Sequence, residues 1–173
     1  MGEGHVLGLG TSYTDKVVAV TLAVILIVVF VIFVIYIRSG SEFWYSLEQP
    51  TYAPPAWLHF TLLAAATFIL WYGGTVLMTQ SHPDDRAICV SLWVASLIVL
   101  FGTFVTFFQR ELIVETSYLL MLFLALHVSL TYKLQFINGY AAILYGIGAV
   151  VMVYLLIVMT ELIRLNPNHA KTA

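Results

Sequence analysis

The stretch VVAVTLAVILIVVFVIFVIYI, residues Val17–Ile37, decides the fold class of this chain. It contains no charged residue and no proline. A helix of this length, rising ~1.5 Å per residue, crosses the ~30 Å hydrocarbon core of a bilayer. The run is longer than the ~7–15-residue apolar core of a secretory signal peptide, and no small-residue cleavage site follows it. It is therefore predicted to be an uncleaved first transmembrane helix.

The rest of the chain has a similar composition. Of its 173 residues, 61% are hydrophobic and 9% are charged, whereas a soluble domain carries about 25% charged residues. Four further apolar runs follow, and nearly all charged side chains lie between the runs, where water can solvate them. The chain is therefore predicted to be an all-α, multi-pass integral membrane protein, a bundle of five transmembrane helices surrounded by membrane lipids.

The predicted helices and tails follow from the positions of these runs. Residues 1–15 are expected to form a flexible, Gly-rich N-terminal tail, residues 16–166 the transmembrane domain, and residues 167–173 a C-terminal tail. Helices are predicted at about residues 17–37, 57–78, 87–108, 113–132 and 140–163. The connection 38–56 contains three prolines and is predicted to be ordered but non-helical, because proline fixes φ and lacks an N–H.

Five crossings would place the two termini on opposite sides of the membrane. The positive charges divide three to four between the sides: Lys16, Arg86 and Lys133 against Arg38, Arg110, Arg164 and Lys171. Because positive residues accumulate on the cytosolic side, this division favours a cytosolic C terminus. The sequence does not indicate which cellular membrane holds the protein.

The sequence lacks the common signatures of catalysis. No GxSxG, phosphate-binding loop, HExxH or CxxC pattern occurs, and no basic run supports nucleic-acid binding. A protein that is not an enzyme is therefore predicted. Glu161 and Arg164, three residues apart near the end of the last helix, are predicted to form an ion pair.

His127 lies inside the fourth predicted helix, with no acid or second histidine three or four positions away. Two interpretations stay open: a neutral imidazole hydrogen-bonded to a facing hydroxyl or carbonyl group, or a side chain that contacts a bound ligand. The small residues Ala142 and Gly146 allow close helix packing, either within the bundle or in a homodimer. Trp57 and Trp93 lie within helices, where they could line an apolar pocket or anchor a helix at the interface.

A proline-rich signature joins the first two predicted helices. The segment 43–57, FWYSLEQPTYAPPAW, resembles the signature of the translocator protein family (TspO/MBR, tryptophan-rich sensory proteins), in which Leu-x-x-Pro, an aromatic residue and x-Pro-Pro-x-Trp lead into the second of five helices. The segment 161–166, ELIRLN, is similar to the family's closing Glu-x-x-Arg-Leu-Asn. The chain departs from the family pattern where the family has Trp, Leu-Tyr, Asn and Pro-Tyr; these positions hold Leu63, Ala66, Thr67, Val90, Ile147 and Gly148.

The resemblance implies a cavity among the helices that binds an apolar or amphipathic small molecule, such as a porphyrin or other tetrapyrrole, a sterol or another lipid. Transport or sensing would be its role, and no cofactor is firmly implied. The implied site residues are Tyr52, Pro54 and Pro55 in a lid over the cavity mouth and Trp57 and Trp93 in its lining. From their own positions, His59 near the mouth and His127 inside the fourth helix are candidate polar contacts of a ligand. The alternative function is a non-catalytic structural subunit of a larger membrane complex, which predicts a bundle without a cavity.

Overall fold

The computed structural model describes residues 13–53 and 55–169 of the chain. All regular secondary structure in these ranges is helical, in six helices: α1 (Tyr13–Ser39), α2 (Ser41–Ser46), α3 (Ala56–Gln80), α4 (Pro83–Phe108), α5 (Ile113–Leu134) and α6 (Gly139–Leu165). Each of the five predicted helices lies inside one of the long helices, which extend a few residues further. Residues 13–15, predicted to belong to the N-terminal tail, form the first turn of α1, and the remainder of that tail lies outside the described residues.

Four of the long helices are long and apolar enough to cross a membrane: Lys16–Ile35 in α1, Asp85–Phe108 in α4, Ile113–Leu134 in α5 and Gly139–Leu165 in α6. Their outward faces carry exposed apolar side chains, such as Val20, Val24 and Ile27 on α1. Exposed apolar surface of this extent is unfavourable in water but not in hydrocarbon. The described part of the chain is thus an all-helical protein compatible with a multi-pass membrane location.

The connection after α1 contains a short helix that the sequence analysis did not predict. Helix α2 occupies Ser41–Ser46, so the prediction of a non-helical connection is wrong for this part. The first proline of the connection is Pro50, and no proline therefore prevents a helical turn here. Phe43 of α2 is buried, and its ring packs edge-on against that of Phe107 with the ring centroids 5.5 Å apart.

The five long helices form a closed ring. Helix α1 packs on α3, α3 on α6, α6 on α5, α5 on α4, and α4 returns to α1, while α2 lies against α1 and α4. The turns at residues 109–112 and 135–138 are short, so α4, α5 and α6 run antiparallel to their neighbours. Asn138 caps the start of α6 by accepting a hydrogen bond from the Ala141 N–H (3.1 Å).

One half of the ring is tightly packed because α3 also contacts α4 across it. In this half every residue of α3 from 72 to 77 is buried. Two glycines of α3 allow aromatic side chains of other helices to pack closely against its backbone. A Cβ atom at Gly74 would lie 2.7 Å from Cε2 of Trp93, and one at Gly73 would lie 2.5 Å from the hydroxyl oxygen of Tyr145. The opposite half contains the space described next.

Candidate functional site

A cavity of about 640 Å³ lies inside the ring, and all six helices contribute to its lining. Its volume falls within the ~300–1,000 Å³ that is usual for small-molecule sites. The lining extends from Ile147 to Met159 on α6 and from Thr116 to His127 on α5. At ~1.5 Å per residue these segments are roughly 16–18 Å long. The cavity is therefore long enough for an elongated organic molecule.

The cavity occupies the half of the bundle nearest the α1–α3 connection. Its lining comes from the C-terminal parts of α1 and α4 and from the N-terminal half of α3. Arg38 and, from α2, Ser41, Trp44 and Tyr45 border it at this end, which is called the mouth below. None of the described residues 47–53 and 55 belongs to the lining, and α2 borders the cavity at this end. The lid formed by Tyr52, Pro54 and Pro55 stays a prediction.

The wall of the cavity is almost entirely aliphatic and aromatic. Two threonine hydroxyls in the wall donate to backbone carbonyls of their own helices: Thr103 to Val99 (2.9 Å) and Thr116 to Leu112 (2.6 Å). Because these protons are already used, the hydroxyls offer a ligand only acceptor positions. The remaining polar side chain deep in the cavity is His127.

His127 is 3% exposed, and neither of its ring nitrogens has a hydrogen-bond partner among the described residues. The backbone of Tyr145 lies near the imidazole, but no hydroxyl or carbonyl group among the described residues meets the geometry of the predicted bond. The imidazole stacks on the ring of Tyr145, with centroids 4.4 Å apart and planes inclined by 15°. A buried polar group without a partner costs ~1–3 kcal/mol, which a ligand atom could recover.

Gly148 of α6 makes room for this imidazole. A Cβ atom at Gly148 would lie 2.6 Å from Nε2 of His127, which is too short for any ordinary contact. The family pattern described above has a tyrosine at this position. The departure from the pattern thus coincides with a histidine at the end of the cavity farthest from Arg38, which is called the floor below.

Trp93, predicted to line the cavity, lies instead in the tightly packed half. It is 3% exposed, and its indole N–H donates to the carbonyl of Leu70 at 3.0 Å. Its ring fills the space above Gly74. These contacts join α3 to α4 and leave the indole without access to the cavity.

The other predicted site residues lie at the surface or outside the described set. Tyr52 is exposed, and its carbonyl accepts a hydrogen bond from the hydroxyl of Tyr154 (2.7 Å). Pro55 is exposed and directly precedes α3. Pro54 lies outside the described residues. Trp57 and His59 belong to α3, but their side chains lie outside the described set, so their ligand contacts stay predictions.

The closing motif holds the α1–α3 connection in place. The buried side chain of Asn166 accepts from the backbone N–H of Glu48 (2.8 Å) and donates to the carbonyl of the same residue (3.0 Å). The predicted ion pair is confirmed: Nε of Arg164 donates to Oε2 of Glu161 at 2.9 Å. The pair lies in the last turns of α6, and neither residue lines the cavity.

No sequence pattern indicates a ligand contact for Arg38, Tyr145 or Gly148. Tyr145 and Gly148 are three residues apart on α6 and therefore share a face, a spacing that could have indicated their common position. In the sequence, Arg38 is recognisable only as a positive charge at the end of an apolar run. In the described ranges, no three His, Cys, Asp or Glu side chains lie close enough together to hold a metal ion.

No model of a protein family matches the sequence, and no curated protein matches it.

Proposed function

We propose that this chain is a five-span membrane protein, related to the translocator protein family, that binds an apolar or amphipathic small molecule in its central cavity for transport or sensing. The observation that carries the proposal is the cavity itself. A bundle that served only as packing surface would be expected to fill its interior, because protein interiors are close-packed. Here about 640 Å³ stays open beside a buried imidazole without a partner.

The fifth span in this proposal is α3. It is 25 residues long and contains no Asp, Glu, Lys or Arg. At ~1.5 Å per residue it is long enough for the ~30 Å hydrocarbon layer. Its place in the ring, between α1 and α6, also requires that it run beside helices that themselves qualify as spans.

The relationship to the translocator protein family rests on two segments that meet in space. The signature 43–57 begins in α2, at the mouth of the cavity, and ends in the first turn of α3. The closing motif 161–166 binds that same connection through Asn166. Two motifs more than a hundred residues apart in sequence thus form one contact, which supports a common origin with the family.

The alternative, a structural subunit of a larger membrane complex, gives the cavity no role. It predicts that the protein co-purifies with a stoichiometric partner and binds no small molecule saturably. The exposed apolar faces of the helices suit lipid and protein neighbours equally, and so do not favour it over the first proposal.

A pair of alanine substitutions on α3 tests the proposal. Ala66 lines the cavity, whereas Ala64 lies on a shallow groove between α1 and α3. Ala66→Phe fills cavity space and is expected to abolish saturable binding of protoporphyrin IX and of cholesterol, measured with purified protein in detergent. Ala64→Phe adds the same volume outside the cavity and should leave binding intact. If both variants bind like wild type, the cavity is not the ligand site. If wild type binds neither probe, tetrapyrroles and sterols are excluded as its ligands.

A further inference from the structure

The floor and the mouth of the cavity carry different polar groups. At the floor is the imidazole of His127, more than nine-tenths buried and without a hydrogen-bond partner in the described chain. A neutral imidazole offers one N–H donor and one nitrogen acceptor. It can therefore pair with a hydroxyl group or, through its N–H, with a carbonyl oxygen.

The mouth carries a positive charge. Arg38, at the end of α1, borders the cavity, and none of the carboxylates whose side chains the structure describes lies within ion-pair distance of its guanidinium. The nearby Ser41 hydroxyl donates to the backbone carbonyl of Arg38 (3.0 Å) and leaves the guanidinium available. A guanidinium suits a carboxylate because its N–H groups match the two oxygens.

The guanidinium of Arg38 and the imidazole of His127 are separated by about the length of the cavity. Gly40 contacts Phe108, so the C-terminal ends of α1 and α4 lie at the same height along the bundle axis. Thr116, in the first turn of α5 just after the α4–α5 turn, lines the cavity near this height. From Thr116 to His127 is 11 residues of helix, or roughly 16 Å. The wall between the two levels is apolar.

We propose that the ligand is an elongated carboxylic acid whose carboxylate pairs with Arg38 and whose far end carries a hydroxyl or oxo group that hydrogen-bonds to His127. This inference rests on the proposed function and names its ligand class. The charged end stays at the mouth, where water can solvate it, and the apolar chain fills the cavity. The far group is uncharged, because a second charge at the floor would lose its hydration without a counter-ion.

Four ligands of equal chain length separate the two contacts: hexadecanoic acid, ω-hydroxyhexadecanoic acid, hexadecanol and the corresponding α,ω-diol. Equilibrium binding of each radiolabelled compound is measured on purified protein in detergent, with empty micelles subtracted. For wild type, the terminal hydroxyl is expected to tighten binding roughly fivefold to tenfold, the usual effect of one buried hydrogen bond. The carboxylate should tighten it roughly threefold to fivefold, since the mouth is partly exposed.

Two substitutions then assign each preference to a residue. His127→Phe keeps the ring and should remove the preference for the terminal hydroxyl, while His169→Phe, outside the cavity, should keep it. Arg38→Gln should remove the preference for the carboxylate, while Arg110→Gln, beyond the end of α4, should keep it. The comparison among ligands in wild type stands even if a variant fails to fold.

The outcomes are distinct. A wild-type protein that binds all four ligands equally, or preferences that survive both substitutions, would overturn this inference. Saturable binding of protoporphyrin or cholesterol with no binding of the four chain ligands would also overturn it, but would leave the proposed function standing. No saturable binding of any probe would remove both.

Discussion

The contact between Gly73 and Tyr145 allows one stability prediction to be worked through. A methyl group at Gly73 would lie 2.5 Å from the hydroxyl oxygen and 2.6 Å from Cζ of Tyr145, whereas ordinary contacts begin at 3.4 Å. Cε2 of the ring lies closer still, so the ring must move by at least about 0.9 Å. Tyr145 is fully buried and has His127 stacked on one face, so it has no open space on that side.

Gly73→Ala should therefore destabilise the protein. Overpacking of this kind costs ~1–3 kcal/mol, and the better helix propensity of alanine offsets ~0.5–1 kcal/mol of that. The matched control is Gly102→Ala, whose new methyl group would meet only Leu119 Cδ1 at 3.7 Å. The control keeps the propensity gain without the clash, so the two variants should differ by ~1–3 kcal/mol.

Thermal unfolding in detergent, followed by circular dichroism, measures this difference. At about 2–4 °C per kcal/mol for a chain of this size, Gly73→Ala should melt roughly 2–12 °C below Gly102→Ala. Equal melting temperatures would show that the tightly packed half of the ring does not exist as described.

Three further predictions concern topology, Trp93 and the α1–α3 connection. If α3 spans the membrane, single cysteines at Glu42 and Gln135 will be labelled from opposite sides of sealed vesicles, in a protein whose native cysteine has been replaced. Labelling of both positions from the same side would mean that α3 does not cross the bilayer. Trp93→Phe should lower stability by ~1 kcal/mol through the lost hydrogen bond yet leave ligand affinity unchanged in the binding assay, and a large loss of affinity would return Trp93 to the site. Asn166→Ala removes two hydrogen bonds to the connection and should speed amide hydrogen exchange in the segment before α3 by roughly tenfold or more. The control Asn168→Ala, at an exposed position, should leave this exchange unchanged. Equal exchange in the two variants would contradict the hydrogen bonds described for Asn166.

The helices could be predicted from the sequence, whereas the positions of individual side chains could not. Long apolar runs bounded by charges report which segments enter hydrocarbon, and the helix bounds follow within a few residues. In a soluble helix the polar face would also show which side faces outward. Here both sides of each helix are apolar, as Val24 (exposed) and Leu26 (buried) on α1 illustrate. Hydropathy alone therefore could not distinguish the cavity wall from the lipid-facing surface.

The cavity residues show this limit clearly. His127 attracted attention because an ionisable group inside a span is rare, and it does line the cavity. The family resemblance, the size of Trp93 and its place in a helix all favour the same cavity, but its position depends on Gly74 of another helix. The three prolines of the connection predict a non-helical segment only from Pro50 onwards, and they do not exclude helix α2 at Ser41–Ser46.

The tight packing of one half of the ring has a consequence for any cargo. The cavity is bordered by Arg38 at one end, and at mid-bundle it ends beside His127, whose ring stacks on that of Tyr145. If a ligand of the proposed kind exchanges at the Arg38 end, its passage to the opposite end of the bundle would have to cross the packed half, where Tyr145 lies against Gly73. The packing of these two residues would then decide between a carrier and a one-sided receptor.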